Sequence, residues 1–224
     1  MCKAIEVAGW FINNNINFSC SKNGNLKLNK LLYFAQMISL VKQGKPLFDE
    51  EIYAFENGIV VEDIRCEYQN NYYGFMDKAK SKRREFTNEE DDILKITKLL
   101  FEDASAVELS DLTHEHKCWK DYFIKSTQSE NKNGYKYNKD NSIIPIKTIL
   151  NDYQEDLNLV RKMIYALEDN TIEEDIIEVN NIKFFYDPKE ICIDEAVLTK
   201  LRNFPGRDAA YTLYLDDSQG LVIY

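Results

Sequence analysis

The chain has 224 residues, 38 of them acidic and 28 basic, for a formal net charge of −10. Apolar residues make up 44% and aromatic residues 12%, which fits a folded chain and excludes a disordered one. The acidic balance disfavours a nucleic-acid binder, whose affinity rests on a basic face, and favours a basic protein partner.

Ile5, Val7, Ala8, Phe11 and Ile12 recur at near-helical spacing. They predict a helix over residues 2–13, stopped by Asn13-Asn14-Asn15. Leu28, Leu31, Leu32, Ala35 and Ile38 form the stripe of a stronger helix. Gly44 ends it, and Pro46 follows. Ile52 to Phe55 and Ile59-Val60-Val61 flank Gly58 and predict one or two short strands. Ile64 to Asn71 reads as a short helix, and Lys78 to Arg84 as a basic connector. Thr87 with Glu90, and Ser105 with Glu108, are capping-box pairs that open two helices. A third helix covers about 117–126. Residues 127–142 are polar and read as a loop. Ile143-Ile144 is a brief strand, and Pro145 suits the first position of a long helix ending near Asp169.

Composition shifts after Asn170. Residues 171–224 hold 11 acidic and 5 basic residues. Ile176 to Tyr186 reads as a hairpin turning at Asn180-Asn181, residues that tolerate positive φ. A helix over about 193–202 and a second hairpin, Tyr211–Leu215 with Leu221–Tyr224, complete the chain. The division predicted is therefore 1–170, a helical domain with a small sheet, and 171–224, an appendage of hairpins and a helix. The fold class is α+β, mainly α-helical.

Four blocks of sequence resemble one family in the right order. Leu28-Asn29-Lys30-Leu31-Leu32-Tyr33-Phe34-Ala35-Gln36 is similar to the opening signature of the Panacea (SocA-like, antitoxin-associated) domain family. Gly44 to Glu50, with Pro46 and Phe48, resembles its next stretch. Ile52 to Val60, around Gly58, resembles its Ala-Trp-x-x-Gly-Pro-Val block. Leu109-Ser110-Asp111-Leu112-Thr113-His114 with Trp119 resembles its Leu-x-x-Leu-Thr-His and tryptophan block. The resemblance covers roughly residues 5–153. Phe55, Ile59 and Cys118 stand where the family has Trp, Pro and Pro.

The resemblance implies a bacterial or phage antitoxin of a type II toxin–antitoxin system. It would neutralise a cognate protein toxin, encoded by a neighbouring gene, by direct binding. An alarmone-synthetase-like nucleotide transferase is one such toxin. The alternative it carries is a proteolytic adaptor that delivers bound toxin to a protease. It implies no enzymatic activity and no cofactor. Homodimer and heterotetramer both stay open.

The residues themselves give little chemistry. The five cysteines are far apart and form no Cys-x-x-Cys pair, so neither a disulfide framework nor a zinc site is expected. A cytoplasmic home is expected from the cysteine usage. Neither a secretory leader at Met1–Trp10 nor an apolar run of spanning length is seen. His114 and His116, with Asp111, Glu115 and Cys118, form a thin ligand set, so the histidines are read as structural and no metal or catalytic residue is assigned. The basic run Lys78, Lys80, Lys82, Arg83 and Arg84 is read as a solvated loop rather than a phosphate patch. The signature residues Lys30, Leu31, Leu32, Tyr33, Gln36, Pro46, Phe48, Gly58, Thr113, His114 and Trp119 are read as structural. The candidate toxin contact is Phe184, Phe185, Tyr186, Tyr211, Tyr214 and Tyr224. Aromatic anchors amid acidic charge suit such a surface, and packing within the appendage is the reading that stays open beside it.

Overall fold

A computed structural model describes residues 2–82, 84–128, 137–170, 175–206, 208–216 and 220–224, without the side chains of 168–170. Among the described residues the protein is mainly α, 59% helical, with two small sheets. It divides into two compact units, Met1–Tyr165 and Ala166–Tyr224.

The first unit is organised by one central helix, α2 (Lys22–Gln43). The Ser21 side chain accepts from the Gly24 amide and caps its start, and Gly44, at φ +65°, ends it in the left-handed region. Every residue from Leu28 to Leu40 is buried. The helix is therefore enclosed on all sides rather than along one stripe. Its neighbours are α1 (Ala4–Asn13), α3 (Glu62–Asn70), α5 (Asn88–Phe101), α6 (Ala106–Glu115) and β2 (Gly58–Val61). β1 (Ile52–Phe55) pairs antiparallel with β2 on one side and with β3 (Ile143–Ile144) on the other. Helix α7 (Lys117–Gln128), a 3₁₀ turn (Lys139–Ser142), α8 (Ile146–Asp152) and α9 (Gln154–Asn170) follow.

An enclosed helix must place its polar side chains on partners. Gln36 does this three times. Its Oε1 accepts from the Leu47 and Phe48 amides at 2.8 and 3.2 Å, and its Nε2 donates to the Phe48 carbonyl at 3.1 Å. Ser39 donates to the Lys45 carbonyl at 2.8 Å. The chain returning after Gly44 is thus tied to the helix it has just left.

The capping boxes at Thr87 and Ser105 form as the sequence predicts and open α5 and α6. Three expectations are corrected. The connector expected at Lys78–Arg84 is largely helical: α4 (Tyr72–Ser81) carries Lys78 and Lys80, is capped by Asn71, and buries Phe75 and Ala79. It packs against α1 so closely that a Cβ on Gly9 would lie 2.3 Å from the Ala79 carbonyl oxygen. Arg83 lies outside the described residues. The long helix expected from Pro145 is two helices. Pro145 is extended, one residue before α8, and Tyr153 interrupts the run at φ −119°, ψ 48°. Its hydroxyl donates to Asp121 at 3.1 Å, a tertiary bond that holds the break. Of the polar stretch expected as a loop at 127–142, Thr127 and Gln128 belong to α7 and Lys139–Ser142 form the 3₁₀ turn, while 129–136 lie outside the described residues.

The second unit is a four-stranded sheet in the order β4 (Asp175–Val179), β5 (Ile182–Tyr186), β6 (Ala210–Asp216), β7 (Gly220–Ile223). Asn180 and Asn181 turn the first hairpin at φ 55° and 62°, the conformation a tight hairpin requires. β5 and β6 run parallel. A parallel pair needs a crossover, and α10 (Glu195–Arg202), capped by Asp194, lies within it. Phe184, Ile191, Leu201 and Leu213 form the core of this unit.

Gln36→Leu keeps the side-chain volume but strands two amides and a carbonyl in the interior of the first unit. It should lower stability by about 2–4 kcal/mol, read as a drop in the urea midpoint. An unchanged midpoint would contradict this role for Gln36.

Candidate functional site

Most of the polar signature residues converge on one feature, the turn between β1 and β2. One carbonyl of this turn and one in each flanking strand are held by side chains from three helices. Trp119 Nε1, from α7, donates to the Phe55 carbonyl at 2.8 Å. Ser110 Oγ, from α6, donates to the Asn57 carbonyl at 2.8 Å. Lys30 Nζ, from α2, donates to the Ile59 carbonyl at 2.8 Å. The His114 ring lies on Trp119, with centroids 4.1 Å apart, and interacts with the Glu56 backbone. Gly58 sits at φ +88°, and a Cβ there would lie 2.2 Å from Thr113 Oγ1 and 2.6 Å from Lys30 Nζ. Only glycine fits that position, on both conformation and space.

The signature residues are mostly enclosed. Lys30, Leu31, Leu32, Tyr33, Gln36, Phe48 and Thr113 are fully enclosed, Gly58 is buried, and Pro46, His114 and Trp119 are half-buried. Asn29 accepts from the Val61 amide at 2.9 Å and fixes the far end of β2 on α2. Burial holds the Lys30 ammonium down to about 7, so near neutrality the amine serves as a neutral donor for much of the time. Burial, then the nearby Lys30 charge, pushes His114 below its usual value.

The two histidines have different fates. His114 joins the turn, whereas His116 is enclosed beside Tyr33, Cys118 and Asp156. Tyr33 Oη and His116 Nδ1 are 2.5 Å apart, and Tyr33 Oη lies 3.6 Å from Cys118 Sγ. The two carboxylate oxygens of Asp156 accept from the Lys117 and Cys118 amides at 2.8 and 2.9 Å and so cap α7. One donor atom from each of His116, Cys118 and Asp156 lies within 4.8 Å of the others, the set among the described residues that could hold a metal. Burial raises the Cys118 thiol well above its ordinary range, and the carboxylate already serves the helix end. Asp111 and Glu115, grouped with these residues from sequence spacing, are not in the set. Asp156 is in it but lies 38 residues from Cys118, beyond any local spacing signal.

The appendage aromatics divide between the two faces of the second unit's sheet. Phe184 is fully buried, and Tyr186 and Tyr211 pack against the same core. Phe185, Tyr214 and Tyr224 alternate onto the opposite face. There the register aligns Ile176 with Phe185 and Phe185 with Thr212, while Thr212 and Tyr224 exchange both backbone hydrogen bonds. One row thus crosses the whole sheet. Ile176 is 52%, Tyr214 43% and Tyr224 88% exposed.

Residues 28–120 match the family described as antitoxin SocA-like, Panacea domain. The matched segment runs from the first residue of the buried stretch of α2 to the residue after Trp119, and so contains the whole clamp of the β1–β2 turn. It is narrower than the span of the resemblance read from sequence. No curated protein and no solved structure matches the chain. Among the described residues, no helix is long and apolar enough to cross a membrane.

The depressed Lys30 sets a pH dependence. Its value is about 7 in the folded protein against an ordinary 10.5. Between these limits the unfolded chain binds more protons, so Lys30 makes stability rise with pH across that window and adds no slope below it. The stability of the parent relative to Lys30→Met should therefore grow by up to about 1 kcal/mol per pH unit above neutrality, measured by urea unfolding at several pH values. Parallel pH profiles for the two proteins would contradict a charged-form penalty at Lys30.

Proposed function

We propose that the protein is an antitoxin that neutralises a cognate protein toxin by direct binding. The observation that carries this reading is the match of residues 28–120 to the SocA-like antitoxin family. The clamp adds a physical argument. Its hydrogen bonds are spent within the fold, between side chains and turn carbonyls, so the reading needs no reaction at these residues. An inhibitor that occludes a partner needs a fixed surface, not a reactive group.

In this reading the opposite face of the second unit's sheet supplies part of the toxin contact. Tyr214 and Tyr224 are the exposed aromatics, Tyr224 in the row with Phe185 and Tyr214 on the same face beside it. Aromatic anchors dominate interface energies. The acidic balance of residues 171–224, 11 acidic against 5 basic, steers a basic partner toward them. Phe184, Tyr186 and Tyr211, on the core face, act by holding the sheet rather than by touching the partner.

Tyr214→Glu with Tyr224→Glu in the full chain tests both parts. Co-expression of the parent chain with the product of a neighbouring toxin-like gene should restore growth and yield a copurifying complex. The double variant should melt with the parent yet lose at least about tenfold in affinity, or about 1.4 kcal/mol. A parent chain that neither rescues growth nor copurifies overturns the antitoxin reading. A variant that binds and rescues like the parent removes this face from the contact.

A further inference from the structure

A cleft of about 560 Å³ opens in the first unit, between the start of α2, the β1–β2 turn, α3 and the first residue of α4. Its volume is that of a small-molecule site. The chain carries 38 acidic residues in 224, yet none of the residues lining the cleft is acidic, and the two charged ones are Lys22 and Arg65.

Arg65 is held in place rather than cancelled. Its Nε and Nη2 donate to Glu62 at 2.5 and 3.0 Å. Glu62 also accepts from Lys139 at 2.8 Å. Burial works against the Glu62 carboxylate, but its hydrogen bonds to these two cations outweigh that and bring it down to about 2. One carboxylate is thus shared by two cations, which leaves a net positive charge. The guanidinium also lies 5.6 Å over the Phe55 ring. Lys22 is the first residue of a 22-residue helix, so its ammonium and the positive end of the helix dipole act together.

The rest of the lining suits a flat heterocycle. Phe55 and Tyr72 offer ring surface, and the Asn57 side-chain amide and Gln69 Nε2 offer hydrogen bonds, whereas Asn25 is already spent, donating to the Arg65 carbonyl and accepting from Asn29. We propose that this cleft binds a small anionic ligand with a flat ring, of the nucleoside phosphate class. The cations and the α2 terminus take the phosphate, and the rings with Asn57 and Gln69 take the base. A bare phosphate would occupy a small part of the volume and leave the aromatic wall unused. An uncharged ring would leave the two cations without a counter-charge. This inference stands apart from the toxin-binding reading, because the cleft lies in the first unit and the proposed toxin contact in the second.

Calorimetry and thermal shift on the full chain at low salt test it, with ATP, GTP, adenosine and inorganic phosphate as probes. At least one nucleotide should bind and raise the melting temperature, and both adenosine and inorganic phosphate should bind at least about tenfold more weakly than it. Lys22→Glu changes an exposed residue, and Asn57→Asp places a carboxylate at the rim with almost no change of shape. Each should weaken the nucleotide at least about tenfold while melting like the parent in its absence. Phosphate binding as tightly as nucleotide, or adenosine doing so, overturns the proposal. So do the absence of binding by either nucleotide at about 1 mM and binding that both variants leave unchanged.

Discussion

The first unit depends on one constraint: a helix enclosed on every side has no water to satisfy its polar side chains. Helix α2 buries thirteen consecutive residues, Leu28 to Leu40, and Asn29, Lys30, Gln36 and Ser39 are among them. Each is bonded to backbone that would otherwise be an irregular connection. Asn29 holds the end of β2, Lys30 the β1–β2 turn, Gln36 the chain at Leu47–Phe48, and Ser39 the carbonyl of Lys45. The helix is therefore a template on which the loops around it are fixed. Removing one such side chain costs the partner groups their bonds as well as its own.

The clamp of the turn extends that logic to α6 and α7. Ser110, Trp119 and Lys30 reach it from different helices, so the turn can hold its shape only if all three helices are in register. That gives the sequence match over 28–120 a physical meaning. The matched segment contains this clamp and the buried stretch of α2 that carries it.

Much of this was legible in the chain. The stripe of α2, the two capping boxes, the Asn-Asn hairpin and the glycine turn at Gly58 are local signals, and local signals survive into the fold. What was missed depends on distance. Tyr72–Ser81 has Gly74 and three lysine or aspartate side chains on a ten-residue run, and its helix is secured by packing on α1. The break at Tyr153 rests on a bond to Asp121. Asp156 caps a helix that begins 39 residues earlier. The parallel pairing of β5 and β6 leaves no trace in either strand. The sheet also explains why six aromatics could not be sorted from the sequence: which face Phe184 and Phe185 take depends on which side α10 covers. The cleft is lined from three stretches of chain, Cys20–Asn29, Phe55–Val60 and Arg65–Tyr72, and only its absence of acidic residues, seen after folding, marks it out.

The most direct measurement pairs thermal unfolding with neutralisation of the co-expressed toxin for Lys30→Met, Gln36→Leu, Ser110→Ala and Trp119→Phe. If these residues form a scaffold, each variant lowers the melting temperature, and neutralisation falls only as the folded fraction falls. A variant that melts like the parent yet fails to neutralise would contradict the account and place that residue in the partner contact itself.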